Sequence, residues 1–196
     1  MRRTRVRSLE PSSSGVHLTM DGSEMIVDEA VVAAGIWSSP LVKPFGVKSV
    51  LAAERGYHLM LKDPGISLRR PIAAGDHKFI MTPLAKGIRL AGTAEFADAD
   101  DPADWRRADM LLPLAQTLLP GLNGEATATR WMGPRPSTPD GLPLVGRTPK
   151  NPRVICAFGH SHLGLTLAAV TAGQVADLIA RRNPEIPADA LRPDRF

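Results

Sequence analysis

Glu29-Ala30-Val31-Val32-Ala33-Ala34-Gly35 is apolar after its first residue and stops on glycine. Its length suits a strand. The lack of alternation predicts burial on both faces, as in sheets covered by helices. The next residues, Ile36-Trp37-Ser38, follow a glycine with no side chain, so a ligand can come close to the backbone there. Taken alone, a tight turn in any α/β protein reads the same way. Upstream, residues 16–20 and 25–27 are short strand-like runs around Asp21-Gly22, a pair that tolerates the positive φ of a hairpin turn. Ser12-Ser13-Ser14-Gly15 forms the preceding turn, so residues 5–33 read as a β-meander.

Past Pro40 the texture changes. Prolines and glycines from Pro44 to Gly92 punctuate short apolar runs, and residues 57–61, 78–82 and 88–91 are expected to share one antiparallel sheet. Asp101-Pro102-Ala103-Asp104 has the form of a helix start: a capping carboxylate, proline in the first turn, and a second carboxylate near the positive end. The apolar face of that helix is Trp105, Met110, Leu111, Leu114 and Leu118; Pro113 should kink or split it, and Pro120-Gly121 should close it. Residues 127–131 read as a short strand, 133–146 as a proline-rich loop and 154–158 as another buried strand. The clearest helix is 163–180, with Leu163, Leu167, Val170, Val175, Leu178 and Ile179 at helical spacing. Arg181 and Arg182 suit its negative end, and Asn183-Pro184 should terminate it.

Composition narrows the class. The chain has 196 residues, 43% hydrophobic and 22% charged, which is globular rather than disordered. Net charge is +4, and part of the excess sits in Arg2, Arg3, Arg5 and Arg7. Such a cluster can be a nucleic-acid arm or a solvated strand edge. With no basic stripe interleaved with aromatics elsewhere, nucleic acid is not expected as a partner. The single cysteine, Cys156, can form no internal disulfide, which fits a reducing compartment. No apolar stretch follows the basic start, so a signal peptide is not expected. The run around residues 30–37 is too short to span a bilayer. A soluble, cytoplasmic protein is expected, with peripheral attachment at the inner face of the cytoplasmic membrane left open.

Three segments can carry chemistry. The first is the strand end at 31–38. The second is Trp131-Met132-Gly133-Pro134-Arg135-Pro136-Ser137-Thr138-Pro139-Asp140-Gly141-Leu142-Pro143-Leu144-Val145-Gly146, where prolines on both sides stiffen the backbone that presents Arg135. A guanidinium fork so held suits a carboxylate, although a rigid surface loop with an ordinary exposed arginine has the same sequence. The third is Phe158-Gly159-His160-Ser161-His162-Leu163-Gly164-Leu165-Thr166, a loop of small residues opening a helix. It is either an anion-accepting helix N-terminus or simple helix entry. His160 and His162 lack the companion ligands of a good metal site, so no metal is expected. Cys156 lies inside an apolar strand, so an inert core thiol is expected rather than a nucleophile.

In this order and spacing the segments resemble the glycine oxidase/D-amino-acid dehydrogenase (DAO) family of flavoproteins. The likeness runs from about Val16 to about Ala180. It rests on V-V-A-A-G-I-W-S at 31–38, R-G-Y-H-L at 55–59, W-M-G-P-R-P-S-T-P-D-G-L-P-L-V-G at 131–146 and G-H-S-H-L-G-L-T at 159–166. The resemblance implies FAD as cofactor and oxidation of an amino acid, in the manner of D-amino-acid dehydrogenases of amino-acid catabolism. It implies that Arg135 pairs with the substrate carboxylate and that Tyr57 and His58 line the pocket. Ala34, Gly35 and Trp37 would lie near the FAD. Gly159, His160, Leu163, Gly164, Leu165 and Thr166 would wrap the flavin ring.

The fold it implies is mixed, α+β with α/β. An FAD/NAD(P)-binding-type domain remnant over 1–40 leads to an antiparallel-sheet substrate domain with flanking helices over 41–130. The chain then returns to the FAD-binding domain over 131–182, and 183–196 is a tail. Such enzymes open on a strand, a Gly-x-Gly-x-x-Gly turn and a helix that hold the pyrophosphate. In the first 34 residues the only glycines are Gly15 and Gly22, so the chain is expected to be the C-terminal portion. Its expected partners are an amino-acid substrate, a quinone or other electron acceptor, and a separate chain supplying the nucleotide-binding half. The competing reading is a non-catalytic remnant that binds no flavin.

Overall fold

The computed structural model describes residues 3–48, 50–183, 186 and 189–196. Arg2 of the basic cluster and Pro184 at the expected helix end lie outside the described residues. Among the described residues the fold is mixed α/β, with three sheets and few helices. Its contacts divide it into two units, Met1–Ala53 with Arg135–Phe196, and Glu54–Pro134.

The first unit opens with β1 (Val6–Pro11), β2 (Val16–Met20) and β3 (Ser23–Val27), an antiparallel meander in which Gly22 takes φ +75°. The expected long buried strand is shorter than its sequence suggests. It is β4 (Ala30–Val32), and Val31 is 43% exposed. The reason is local. Gly35 takes φ +58° and turns the chain into a 3-10 turn at Gly35–Trp37, followed by α1 (Ser38–Val42).

The second unit is a five-stranded sheet with helices on one face. Its strands are β5 (Ala52–Leu61), β6 (Ile72–Ala74), β7 (Phe79–Leu84), β8 (Gly87–Phe96) and β9 (Thr129–Ser137), in the order β6-β7-β8-β5-β9. The ends of β5 and β9 run into the first unit. Strand alternation sends Leu59, Leu61, Met81, Ile88 and Leu90 to one side, where they pack against Leu111, Leu112, Ala115 and Leu122. Each fully buried aliphatic side chain there contributes roughly 1.5–3 kcal/mol.

Two expectations are corrected in this unit. The helix foreseen from Asp101 begins later, as α2 (Arg106–Asp109) and α3 (Leu111–Leu118). Asp101 instead accepts the Asp98 amide, and the Pro102 carbonyl is taken by Arg55. The split falls at Met110, so Pro113 sits in the first turn of α3, where a missing N–H costs little. Of the segment read as a loop over 133–146, residues 133–137 are extended: they belong to β9, at the edge of the sheet, where prolines are tolerated.

Returning to the first unit, β10 (Leu144–Arg147) pairs antiparallel with β11 (Val154–Phe158), and β11 runs parallel to β4 with Cys156 opposite Val32. Val32, Phe45, Leu144, Val154, Cys156 and Phe158 form its core with Leu9 and Val16. The final helix, α4 (Gly164–Ile179), has only Gln174 buried, and Leu165 is 94% exposed. Arg147 holds its last turn by donating to the Leu178 carbonyl (2.6 Å) while pairing with Glu29 (3.0 Å). Among the described residues no helix is long and apolar enough to cross a membrane.

Candidate functional site

The parallel pairing of β4 and β11 brings their carboxyl ends side by side, the place where open α/β sheets bind ligands. After β4, the Ala34 amide donates to Ser38 Oγ (3.1 Å), and the Trp37 amide donates to the Ala34 carbonyl (3.2 Å). A β-carbon added to Gly35 would meet nothing within 4 Å, so the backbone faces open space. Trp37 is exposed beside it.

After β11 the chain enters the second loop. Gly159 takes φ +86°, and a β-carbon there would lie 3.1 Å from both Thr138 Cγ2 and Leu144 Cδ1. Ser161 takes φ +51°, unusual for a residue with a side chain. Its amide donates to the Pro136 carbonyl (3.1 Å), next to Arg135, while its Oγ is buried without a partner among the described residues. His160 shares a hydrogen bond with Thr171 Oγ1 (2.9 Å), and burial holds its pKa below the ordinary histidine value. No side chain caps α4 at Leu163, and its first turn holds no acidic residue. Gly164, Leu165 and Thr166 therefore sit at the open positive end of a 16-residue helix.

These features fit a flavin edge. The pyrimidine rim of the ring is a row of carbonyl oxygens and ring nitrogens. Uncapped amides and an orphaned hydroxyl offer it donors, and the helix end favours negative charge on it.

Arg135 is half-buried near the end of β9, between Pro134 and Pro136. The Ser161-to-Pro136 hydrogen bond ties its strand to the loop before α4. The backbone that carries the guanidinium and the backbone that opens the helix are therefore one connected piece.

Tyr57 and His58 belong to the second unit, on opposite faces of β5. Tyr57 is buried on the helix side. Its hydroxyl donates to Glu95 and accepts from Arg55 Nη2 (3.0 Å) and from the Asp104 amide (3.0 Å). Glu95 also takes Arg55 (3.2 Å) and Arg107 (3.1 Å). The Tyr57 hydrogen bond, foremost, holds the Glu95 carboxyl below its ordinary range. With one proton donated and two donors accepted, the hydroxyl has no capacity left for a ligand.

His58 lies on the open face. It stacks on the Trp131 indole at 4.8 Å and 17°. Burial, then the Arg89 charge, lowers its pKa, so it is neutral at pH 7. Gly133 makes the stack feasible, because a β-carbon there would fall 2.2 Å from Trp131 Cη2.

Cys156 is buried, and desolvation pushes its thiol up to about 12, the inert core thiol expected. Sequence reasoning missed the Arg55–Glu95–Arg107 network, the orphaned Ser161 hydroxyl and the contacts of Arg195 described below. Arg55 gave a signal, as a charge among residues of a strand that packs on the core. Ser161 and Arg195 gave none, since their partners are distant in sequence.

The family described as DAO, FAD dependent oxidoreductase, matches residues 1–178. A D-amino-acid oxidase of Bradyrhizobium diazoefficiens is 39% identical over 184 residues, covering 92% of this chain and 44% of that protein. A glycine oxidase of Bacillus licheniformis is 31% identical over 176 residues, covering 90% and 47%. The crystal structure of glycine oxidase from Geobacillus kaustophilus superposes with a TM-score of 0.85 at 26% identity, over 98% of this chain and 52% of that one. The chain thus spans about half the length of the relatives it matches.

Proposed function

This chain belongs to the DAO family of FAD-dependent oxidoreductases, and on that premise we propose that it is the substrate-binding and flavin-facing portion of an enzyme that oxidatively deaminates a D-amino acid or glycine-like amine. The observation that carries the reading is the link between Arg135 and the uncapped α4 N-terminus through the Ser161-to-Pro136 hydrogen bond. It joins a carboxylate fork to a helix end suited to the flavin.

When bound, FAD supplies the hydride acceptor that oxidises the α-carbon–nitrogen bond to an imine, which water hydrolyses to a 2-oxo acid and ammonia. The chain's own residues supply position and charge. Arg135 grips the substrate carboxylate and so orients the α-hydrogen. The amides of Gly164, Leu165 and Thr166, with Ser161 Oγ, offer donors to the ring edge and favour negative charge there. Gly35 lets the ring approach the β4 end without a side chain in the way. Within the second unit, neutral His58 stacks on Trp131 on the open sheet face near the Arg89 charge, and Tyr57 is the hub of the Glu95 network on the other face.

A separate polypeptide segment carrying the nucleotide-binding strands is part of this proposal. Two observations support it: β4 has only β11 as a sheet neighbour among the described residues, and α4 leaves Leu165, Val170 and Ile179 uncovered. The electron acceptor is oxygen or a quinone. The second goes with a cytoplasmic enzyme resting on the inner face of the membrane.

The test is Arg135→Ala in the flavin-loaded protein, assembled with its nucleotide-binding segment. Losing a two-point charged contact should raise the substrate KM about a hundredfold, from roughly 3 kcal/mol, while the flavin spectrum stays intact. An unchanged KM removes Arg135 from the site. A protein that stays colourless with that segment present refutes the flavin reading and leaves the non-catalytic one.

A further inference from the structure

We propose that Arg195 is a positioning residue for the site: its grip on the Asp140 turn holds the Arg135 strand end and the Gly159–Ser161 loop in one arrangement. The inference rests on the reading of Arg135 as the carboxylate fork.

Residues 189–196 are not a loose tail. Pro193 is buried, with its Cδ 2.9 Å from where a Gly146 β-carbon would stand. Arg195, 11% exposed, reaches across to a residue 55 positions away. Its Nε donates to Asp140 Oδ2 (2.8 Å), and Nη2 donates to Asp140 Oδ1 (3.0 Å), a bidentate fork. Nη2 also reaches the Leu142 carbonyl (2.7 Å) and Nη1 the Pro143 carbonyl (3.1 Å). The Phe196 ring lies 4.6 Å under the guanidinium. One side chain thus binds three residues of a single turn. Lysine, a point charge, cannot reproduce that fork.

The turn is closed from within as well. Thr138 Oγ1 donates to the Leu142 carbonyl (2.8 Å), the Gly141 amide to the Thr138 carbonyl (3.2 Å), and the Leu142 amide to Asp140 Oδ1 (3.0 Å). Its inner side meets the site directly. Thr138 and Leu144 close on the Gly159 backbone, and Pro136, two residues before Thr138, accepts the Ser161 amide. Pro139, Asp140, Gly141 and Leu142 are exposed, and an exposed turn is ordinarily free to move. Arg195 removes that freedom at the point where the turn touches both working segments.

The experiment compares Arg195→Ala, Arg195→Lys and Asp140→Asn in the flavin-loaded protein, with Arg192→Ala as control. Arg192 pairs by its side chain with Asp194 (2.8 and 3.0 Å), not with Asp140. Two quantities are read: the KM and kcat for the amino-acid substrate, and amide hydrogen exchange. Arg195→Ala is expected to raise KM about tenfold with kcat within about threefold. It should speed exchange at Gly141, Leu142 and Ser161 by about tenfold or more, leaving the core amide of Cys156 unchanged. Arg195→Lys should recover part of both effects.

Faster exchange with unchanged KM overturns the inference, because the contact is then only structural. No change in either, or an equal effect of Arg192→Ala, overturns it too. If Arg195→Ala does not fold, Asp140→Asn reads the same two quantities, since an asparagine oxygen still accepts the Leu142 amide. A KM sensitive to Arg135→Ala but not to the Arg195 variants refutes the latch alone; a KM insensitive to Arg135→Ala refutes the fork beneath it.

Discussion

Replacing Tyr57 with phenylalanine separates a framework role from a ligand-binding one. The substitution keeps the ring, which meets Trp105 edge-on at 6.1 Å, and removes only the hydroxyl. Three hydrogen bonds go with it. Arg55 keeps the Pro102 carbonyl (2.7 Å), the Asp98 carbonyl (3.1 Å) and Glu95 (3.2 Å). The Asp104 amide loses its partner, and Glu95 loses its closest donor. A hydrogen bond to a charged group contributes about 1.5–3 kcal/mol and a neutral one about 0.5–1.5, so the second unit should lose about 2–4 kcal/mol. With a denaturant slope of about 2 kcal/mol per molar, the urea midpoint should fall by roughly 1–2 M. The loss should also depend on pH. Folded Glu95 has a depressed pKa, so its stabilisation is present above the unfolded carboxyl pKa and fades as pH falls through the folded value. Without Tyr57 that depression shrinks, so the gap between the two proteins should narrow as pH falls through the folded Glu95 value, leaving the share that comes from the Arg55 and Asp104 bonds. Urea titrations across this range, read by far-ultraviolet circular dichroism, give the answer. A loss under about 0.5 kcal/mol, or one equal at all pH values, refutes the hub.

Asp140, held at a pKa of about 2 chiefly by the Arg195 hydrogen bond, should stabilise the first unit above the ordinary carboxyl range and lose that advantage as pH falls toward 2; Asp140→Asn should flatten the acid limb of a stability–pH profile. Gly133→Ala should drive the Trp131 indole off His58, cost about 0.5–1.5 kcal/mol, and bring the His58 titration measured by NMR back up toward its ordinary value. Cys156 should stay unmodified by thiol reagents at pH 8 until denaturant exposes it, which mass spectrometry reads directly.

The elements legible in sequence were those whose signal is local. The Asp21-Gly22 hairpin, the strands around Tyr57, Phe79 and Ile88, and the helix after Leu163 follow from turn residues and periodicity. What failed was local reading of segments whose state depends on distant partners. Pro134 and Pro136 suggest a loop, yet the chain there is extended because β9 is an edge strand, where a missing N–H leaves no hole in a ladder. Asp101-Pro102 has good capping chemistry, but Arg55 takes the Pro102 carbonyl from 47 residues away, and the helix starts at Arg106. The continuous apolar run at 30–34 implies two covered faces, while the structure covers Val32 and leaves Val31 exposed.

The candidate site divides along the same line. Arg135, Gly35 and the 159–166 loop are written as short motifs, because backbone shape and one guanidinium define them. The residues that hold them still are spread over the chain: Ser161 binds Pro136, and Arg195 binds Asp140. A motif search finds the candidate residues and misses what holds them, since a hydrogen bond between residues 55 positions apart leaves no trace in local spacing. If the fork depends on that support, its affinity for a carboxylate is a property of the C-terminal segment as much as of Arg135.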